Sequence, residues 1–178
     1  EALPPGRLTI VNANALKIPM PETPYDVVAN IPYHITAPLL RYLLLESPVR
    51  PGSTTLLIQK EVAEKICGEE HSTYLSVLVG LCGKTSLVRN VKPGAFIPPP
   101  SVNSAVISII THNPPLADAE TITRALEFAS AAFHGKRKML RGTVGKLRDG
   151  LERLEAAAIS GERRPETLSI AEWIALAR

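Results

Sequence analysis

Asn30, Ile31, Pro32 and Tyr33 close the apolar run "YDVVAN", Tyr25 to Asn30. Proline fixes its own backbone and biases Ile31 toward an extended conformation. That geometry turns the Asn30 side-chain oxygen and the Ile31 carbonyl toward a common point. Both accept hydrogen bonds, so together they suit one NH₂ group. Tyr33 adds a flat face for stacking. An exocyclic amine on a planar ring, such as adenine N6, satisfies all three features. The N6 lone pair is delocalised into the purine and is a poor nucleophile. Two acceptors that draw its hydrogens out of the ring plane favour a more tetrahedral, more nucleophilic nitrogen. The remaining catalysis would be the alignment of an electrophilic methyl group. A proline turn that merely ends a strand is the alternative.

The elements that must mount this turn are legible from periodicity. "YDVVAN" is a continuous apolar run bounded by turn signals, as in a parallel strand covered on both faces. A strand is expected earlier, at Leu8–Val11, and "LLRYLLLE" has helical spacing. "STTLLIQ" predicts a strand, "KEVAEKICG" a helix stopped by Gly68, and "TYLSVLVGLCG" a further helix. "TSLVRNVKP" and "SAVISII" predict two strands flanking the loop "GAFIPPPSVN", free to pair antiparallel. Strands alternating with helices predict an open, mainly parallel sheet. From Ala119 onward the pattern is helical, including "KRKMLRGTVGKLRDG" and a last helix capped by Ser169 with Glu172 as its capping-box partner.

Composition narrows the class. The chain has 178 residues, 45% of them hydrophobic, enough for a real core. It has no run of apolar residues long enough to predict a membrane span. The two cysteines lack a paired spacing and the four histidines are scattered, so no metal site is expected. Net charge is +3, but six Lys or Arg residues and no acid fall between His134 and Arg148. Such a run suits either a phosphate-bearing partner or a solvated helix face.

The stretches "NIPYHITAPLL", "LLIQKEVAEKI", "LSVL", "VKPGAFIPPPSVNSAVISI", "AFHGKRKMLRGTV" and "RPETLSIAEW" follow one another between Leu8 and Trp173. Together they resemble the ribosomal RNA adenine N6-dimethyltransferase family. The resemblance implies an α/β fold: a Rossmann-like class I S-adenosylmethionine-dependent methyltransferase sheet over residues 1–112, followed by a small all-α RNA-contacting domain over residues 113–178. Asn30, Ile31 and Pro32 would then hold the target amine, Tyr33 would stack on the adenine, and Phe96 would flank it. A loop-anchoring core aromatic is the alternative for Phe96. Asn14 and Ala15, with Asn30, would touch the donor S-adenosyl-L-methionine. Asn14 stands where the family usually has Asp, and a simple turn asparagine is its alternative. Lys136, Arg137, Lys138 and Arg141 match a basic segment that would contact RNA, although Met139 and Gly142 depart from the family's pattern. Lys60 and Glu61 would orient their helix near the site or remain surface charge.

The resemblance further implies a cytoplasmic, monomeric enzyme with no metal and no membrane. Its partner would be the rRNA of an immature small ribosomal subunit. It would dimethylate two adjacent adenines in the 3′-terminal hairpin during ribosome biogenesis. "GAFIPPP" and "RPETLS" favour this over the large-subunit adenine methyltransferases that confer macrolide-type resistance. A non-catalytic ribosome-assembly or RNA-binding factor on the same fold is the other alternative. The family's Gly-rich donor loop and following acidic residue have no counterpart in the sequence. The expectation is an N-terminally truncated piece, short of its first strands, poorly stable and inactive on its own.

Overall fold

The structure, a computed structural model, describes residues 8–68, 72–135 and 137–178. Strand β1 (Val27–Asn30) leads through the Pro32–Ile35 turn into α1 (Thr36–Arg41), which continues as a wider π-type turn through Glu46. Strand β2 (Ser53–Gln59) is followed directly by α2 (Lys60–Cys67), then α3 (Tyr74–Cys82) and β3 (Gly83–Val91). Loop 92–103 returns the chain as β4 (Ser104–Thr111). Helices α4 (Ala119–His134), α5 (Gly150–Ala156) and α6 (Ile170–Ala177) complete the chain.

The sheet order is β1-β2-β4-β3. β1 and β2 are parallel, whereas β4 is antiparallel to both β2 and β3. A mainly parallel sheet was the expectation, but one of these three pairings is parallel. The reason is local: no helix separates β3 from β4, so the loop drops β4 between β2 and β3 in the reverse direction. Alternate residues of the two central strands point into the core, where Leu56, Ile58, Ile107 and Ile109 are fully buried. α2 packs on both of these strands and α3 on β3, and α4 packs in turn on α3 and α6. A single hydrophobic cluster runs from Ile31 through the sheet to Trp173, Leu176 and Ala177. Among the described residues no helix is long and apolar enough to cross a membrane.

Three expectations are corrected. Leu8–Val11 forms no strand, because no strand lies beside it among the described residues, and a strand needs a ladder partner. β1 is not covered on both faces. Val27 and Ala29 pack on the core, but Val28 is 83% exposed at the end strand of the sheet. The basic segment after α4 is not a helix; it forms two isolated 3₁₀ turns, Leu140–Gly142 and Val144–Lys146. Its backbone donors are used elsewhere, Leu140 N–H to the Arg163 carbonyl at 2.9 Å and Arg141 N–H to the Gly161 carbonyl at 2.8 Å. The chain also folds back tightly at Gly150, where a Cβ would lie 2.0 Å from the Val144 carbonyl oxygen.

The last helix begins as its sequence predicts. Ser169 Oγ accepts the Glu172 N–H at 3.2 Å, and the Glu172 carboxylate accepts the Ser169 N–H at 2.8 Å. Arg163 closes the box with a short hydrogen bond to the same carboxylate. The Arg163 guanidinium, and after it the Ser169 donors, hold the Glu172 carboxyl down at about 2 against the opposing effect of burial. The usual value is 4.5, so the lowered pKa stabilises the fold above pH 4.5, and that contribution is lost as pH falls toward 2. Thermal melts across that window should therefore fall less steeply for Glu172→Gln than for the wild type. Equal slopes would show that this carboxylate does not couple acid stability to the last helix.

Candidate active site

The strand registers bring the Asn-Ile-Pro-Tyr turn and the proline-rich loop to one edge of the sheet. Asn30, at the end of β1, pairs with Leu57 near the end of β2. Gln59, the last residue of β2, pairs with Ser104, the first of β4, and Ser104 also pairs with Val91, the last of β3. This is the carboxyl edge of β1 and β2, where open α/β sheets bind ligands. Loop 92–103 spans the same edge. Its last residue is tied to the start of α2 by the Lys60 N–H to Asn103 carbonyl bond at 2.9 Å.

The turn itself is fixed at each residue. Ile31 is buried at 8% exposure and anchors the turn to the core, while Asn30 and Pro32 are exposed. Pro32 holds φ −57° and ψ 131°. Its carbonyl accepts the Ile35 N–H at 3.1 Å, and the Tyr33 carbonyl accepts the Thr36 hydroxyl at 2.8 Å. The Asn30 side chain forms no hydrogen bond among the described residues, which leaves its amide oxygen available. Tyr33 is half-buried, and its hydroxyl shares a 2.6 Å hydrogen bond with Ser104 Oγ. Ser104 is fully buried, so this bond fixes the tyrosine tip to the point where the loop becomes β4. Sequence reasoning singled out Tyr33 for its ring and missed Ser104. The only signal for Ser104 was a small polar residue opening an apolar strand.

Phe96 lies in the same loop and is half-buried, its N–H bonded to the Pro93 carbonyl at 3.1 Å. It makes no ring pair with Tyr33; the aromatic pair among the described residues is Phe133 with Trp173, at 6.2 Å. Lys60 and Glu61 point into ion pairs along α2, with Glu64 at 3.4 Å and Lys65 at 2.6 Å respectively. The Lys65 hydrogen bond holds the Glu61 carboxyl below its ordinary value. Burial pushes the thiols of Cys67 and Cys82 upward, which keeps both protonated and unreactive at neutral pH. Among the described residues no group of three or more His, Cys, Asp or Glu side chains gathers to hold a metal ion.

Asn14 and Ala15 sit in an exposed turn. The Asn14 side-chain oxygen accepts the Leu16 N–H at 2.9 Å, and its main-chain carbonyl accepts the N–H groups of Lys17 and Ile18. The turn is pinned to the body by the Tyr42 hydroxyl, which donates to the Ile18 carbonyl at 2.6 Å. An amide oxygen has two lone pairs, so Asn14 can still accept one hydrogen bond from an amine. That remaining position is the one an adenosyl amino group would use.

The basic stretch follows the last turn of α4. Arg137 and Lys138 are exposed there. Arg141 pairs with Glu162 at 2.8 Å, with both side chains more than half exposed. An exposed pair of this kind is worth little and yields readily to a phosphate. Lys136 lies outside the described residues.

Removing the Tyr33 hydroxyl strands a fully buried serine hydroxyl without its partner. Tyr33→Phe should lower stability by about 1–3 kcal/mol, read as a drop in the urea midpoint. An unchanged midpoint would mean that the turn and β4 are not coupled through this bond.

The sequence profile described as "Ribosomal RNA adenine dimethylase" matches residues 2–177. The chain is 40% identical over 184 residues to "Ribosomal RNA small subunit methyltransferase A" of Brucella canis, covering 97% of this chain and 65% of that protein. It is 40% identical over 189 residues to the protein of the same name from Agrobacterium fabrum, covering 99% of this chain and 67% of that one. The chain thus spans about two thirds of the length of these curated relatives. Among solved structures, a dimethyladenosine transferase from Plasmodium falciparum superposes with TM-score 0.76 at 23% identity, over 93% of this chain and 70% of the other. The 23S rRNA methyltransferase ErmE superposes with TM-score 0.71 at 24% identity, over 94% of this chain and 69% of the other. These superpositions establish the Rossmann-like methyltransferase fold. With the profile match over nearly its whole length and the relatives at 40% identity, the chain belongs to the ribosomal RNA adenine dimethylase family.

Proposed function

We propose that this chain belongs to an enzyme that dimethylates N6 of two adjacent adenines in the 3′-terminal hairpin of small-subunit rRNA, acting in the cytoplasm on an immature small ribosomal subunit. The observation that carries the proposal is the joining of the Asn30–Tyr33 turn to the proline-rich loop by the Tyr33–Ser104 hydrogen bond at the carboxyl edge of the sheet. The small-subunit reading is supported by the names of the relatives at 40% identity.

In this reading a target adenine leaves its stack and lies against Tyr33, whose ring face offsets part of the unstacking cost. The Asn30 amide oxygen and the Ile31 carbonyl accept the two N6 hydrogens. They favour a pyramidal nitrogen and hold its lone pair in one direction. S-adenosylmethionine, when bound, supplies the electrophilic methyl group; Asn14, Ala15 and Asn30 are the residues here that would hold it. A strong general base is unnecessary, because the amine's proton can pass to water once the nitrogen has become cationic. Phe96 borders the same base from the loop. Lys136, Arg137, Lys138 and Arg141 contact phosphates and position the RNA without reading its sequence.

The test uses full-length protein, small ribosomal subunits lacking the modification, and a donor with a labelled methyl group. Label should enter the 3′-terminal hairpin as dimethyladenosine. Asn30→Ala should abolish incorporation while leaving RNA binding intact. Absence of label from that hairpin with wild-type protein would overturn the assignment, and normal turnover by Asn30→Ala would overturn the role given to the turn.

A further inference from the structure

A second cleft lies between α1 and the last turn of α4. It encloses about 470 Å³ and is lined by Arg41, Tyr74, Ser130, Phe133 and His134. That volume is within the usual range for small-ligand sites. It runs into a neighbouring cavity that shares Arg41, Tyr74 and Ser130 and extends to Glu46, Arg50 and Glu127.

The polar groups of the cleft are already oriented. Arg41 Nη1 donates to the Tyr74 hydroxyl at 3.3 Å, so that hydroxyl retains its own hydrogen to donate. Arg41 Nε donates to Glu46 at 2.8 Å, which neutralises the nearer carboxylate. His134 Nδ1 lies 2.6 Å from the Ser130 carbonyl and must donate to it, leaving Nε2 for a ligand. Phe133 is steadied by Trp173, with ring centres 6.2 Å apart. Two aromatic side chains, a cation, a free hydroxyl hydrogen and an imidazole nitrogen are the features that recognise an unpaired nucleobase.

Placement on the fold favours a nucleotide within a strand over a free one. Helix α4 runs antiparallel to the segment from α1 to Arg50: its first residues share a cavity with Arg50, and its last turn shares one with Arg41. The last turn of α4 therefore points back toward the end of α1 that carries the Asn30–Tyr33 turn. Arg41 stands about 7.5 Å along the helix from Thr36. Exposed Arg137 and Lys138 follow α4 in the chain and supply charge for phosphates.

We propose that this cleft holds a second unpaired nucleotide of the RNA strand whose target adenine sits at the Asn30–Tyr33 turn, with its base stacked on the Tyr74 ring and its edge on His134. The proposal rests on the RNA-substrate reading above. It assigns the Arg41–Tyr74–His134 cleft a positioning role, separate from the methyl-accepting site.

The test measures binding of a short single-stranded RNA, carrying 2-aminopurine at one position at a time, to the full-length protein. Two separate positions should be quenched on binding. Tyr74→Leu should weaken binding about tenfold and relieve quenching at one position only, while Asn30→Ala leaves that position quenched. His134→Ala, a change at an exposed residue, should weaken binding in the same direction, and Tyr74→Phe should restore most of the loss through its ring. Affinity and quenching unchanged in both Tyr74→Leu and His134→Ala would overturn the cleft proposal alone. Free adenosine monophosphate binding the cleft as tightly as the RNA would overturn its assignment to a strand. A wild-type protein that does not bind the RNA would overturn the cleft proposal, whereas the substrate reading is decided by methyl transfer into the small-subunit hairpin.

Discussion

The hydrogen bond between the Tyr33 hydroxyl and the buried Ser104 hydroxyl is the contact on which the site depends. It joins two segments seventy-one residues apart in sequence. On one side is the turn that ends β1; on the other is the junction of the proline-rich loop with β4. A tyrosine meant only for stacking needs no such anchor. Fixing the phenol tip removes the ring's freedom to swing, so its face is set before any base arrives. Preorganisation of this kind lowers the entropy that binding must otherwise remove.

The rest of the sheet exists, in functional terms, to hold that junction still. β4 is the antiparallel insert between β2 and β3, and Ser104 is its first residue, paired to both neighbours. The buried rows Leu56, Ile58, Ile107 and Ile109 fix the register of the strands that carry Gln59 and Ser104. Ile31 reaches into the same core from the turn itself. A one-residue slip of β4 would carry Ser104 to the other face and release Tyr33. The proposed chemistry therefore rests on packing beneath the turn.

Much of this was legible in the sequence, and the gaps have physical causes. β2, α2, β4 and α4 carry strong periodicity or clear stop signals, and each forms where its pattern predicts; the apolar run over Tyr74–Cys82 is ambiguous by pattern and forms the expected helix. The capping box at Ser169 was readable because its residue types and spacing determine its hydrogen bonds. The strand expected at Leu8–Val11 failed because apolar residues make a strand only where a partner strand offers a ladder. The segment after α4 reads as helical by charge and spacing, yet Gly142, Gly145 and Gly150 let it fold back on itself and on residues 161–163. At the site, the turn was visible because proline and asparagine act locally. Ser104 was not, because its role is set by a contact across the sheet. The Arg41–Tyr74–His134 cleft was invisible for the same reason: its residues come from three helices.

The central claim is that the turn grips both hydrogens of one adenine amine. Nuclear magnetic resonance of an RNA hairpin labelled with nitrogen-15 at adenine N6, bound to full-length protein, observes that grip directly. Two resolved amino protons on a target adenine, protected from exchange in the wild-type complex and merged into rapid exchange by Asn30→Ala, are the expected result. Amino protons that exchange in the wild-type complex as fast as in free RNA would contradict it.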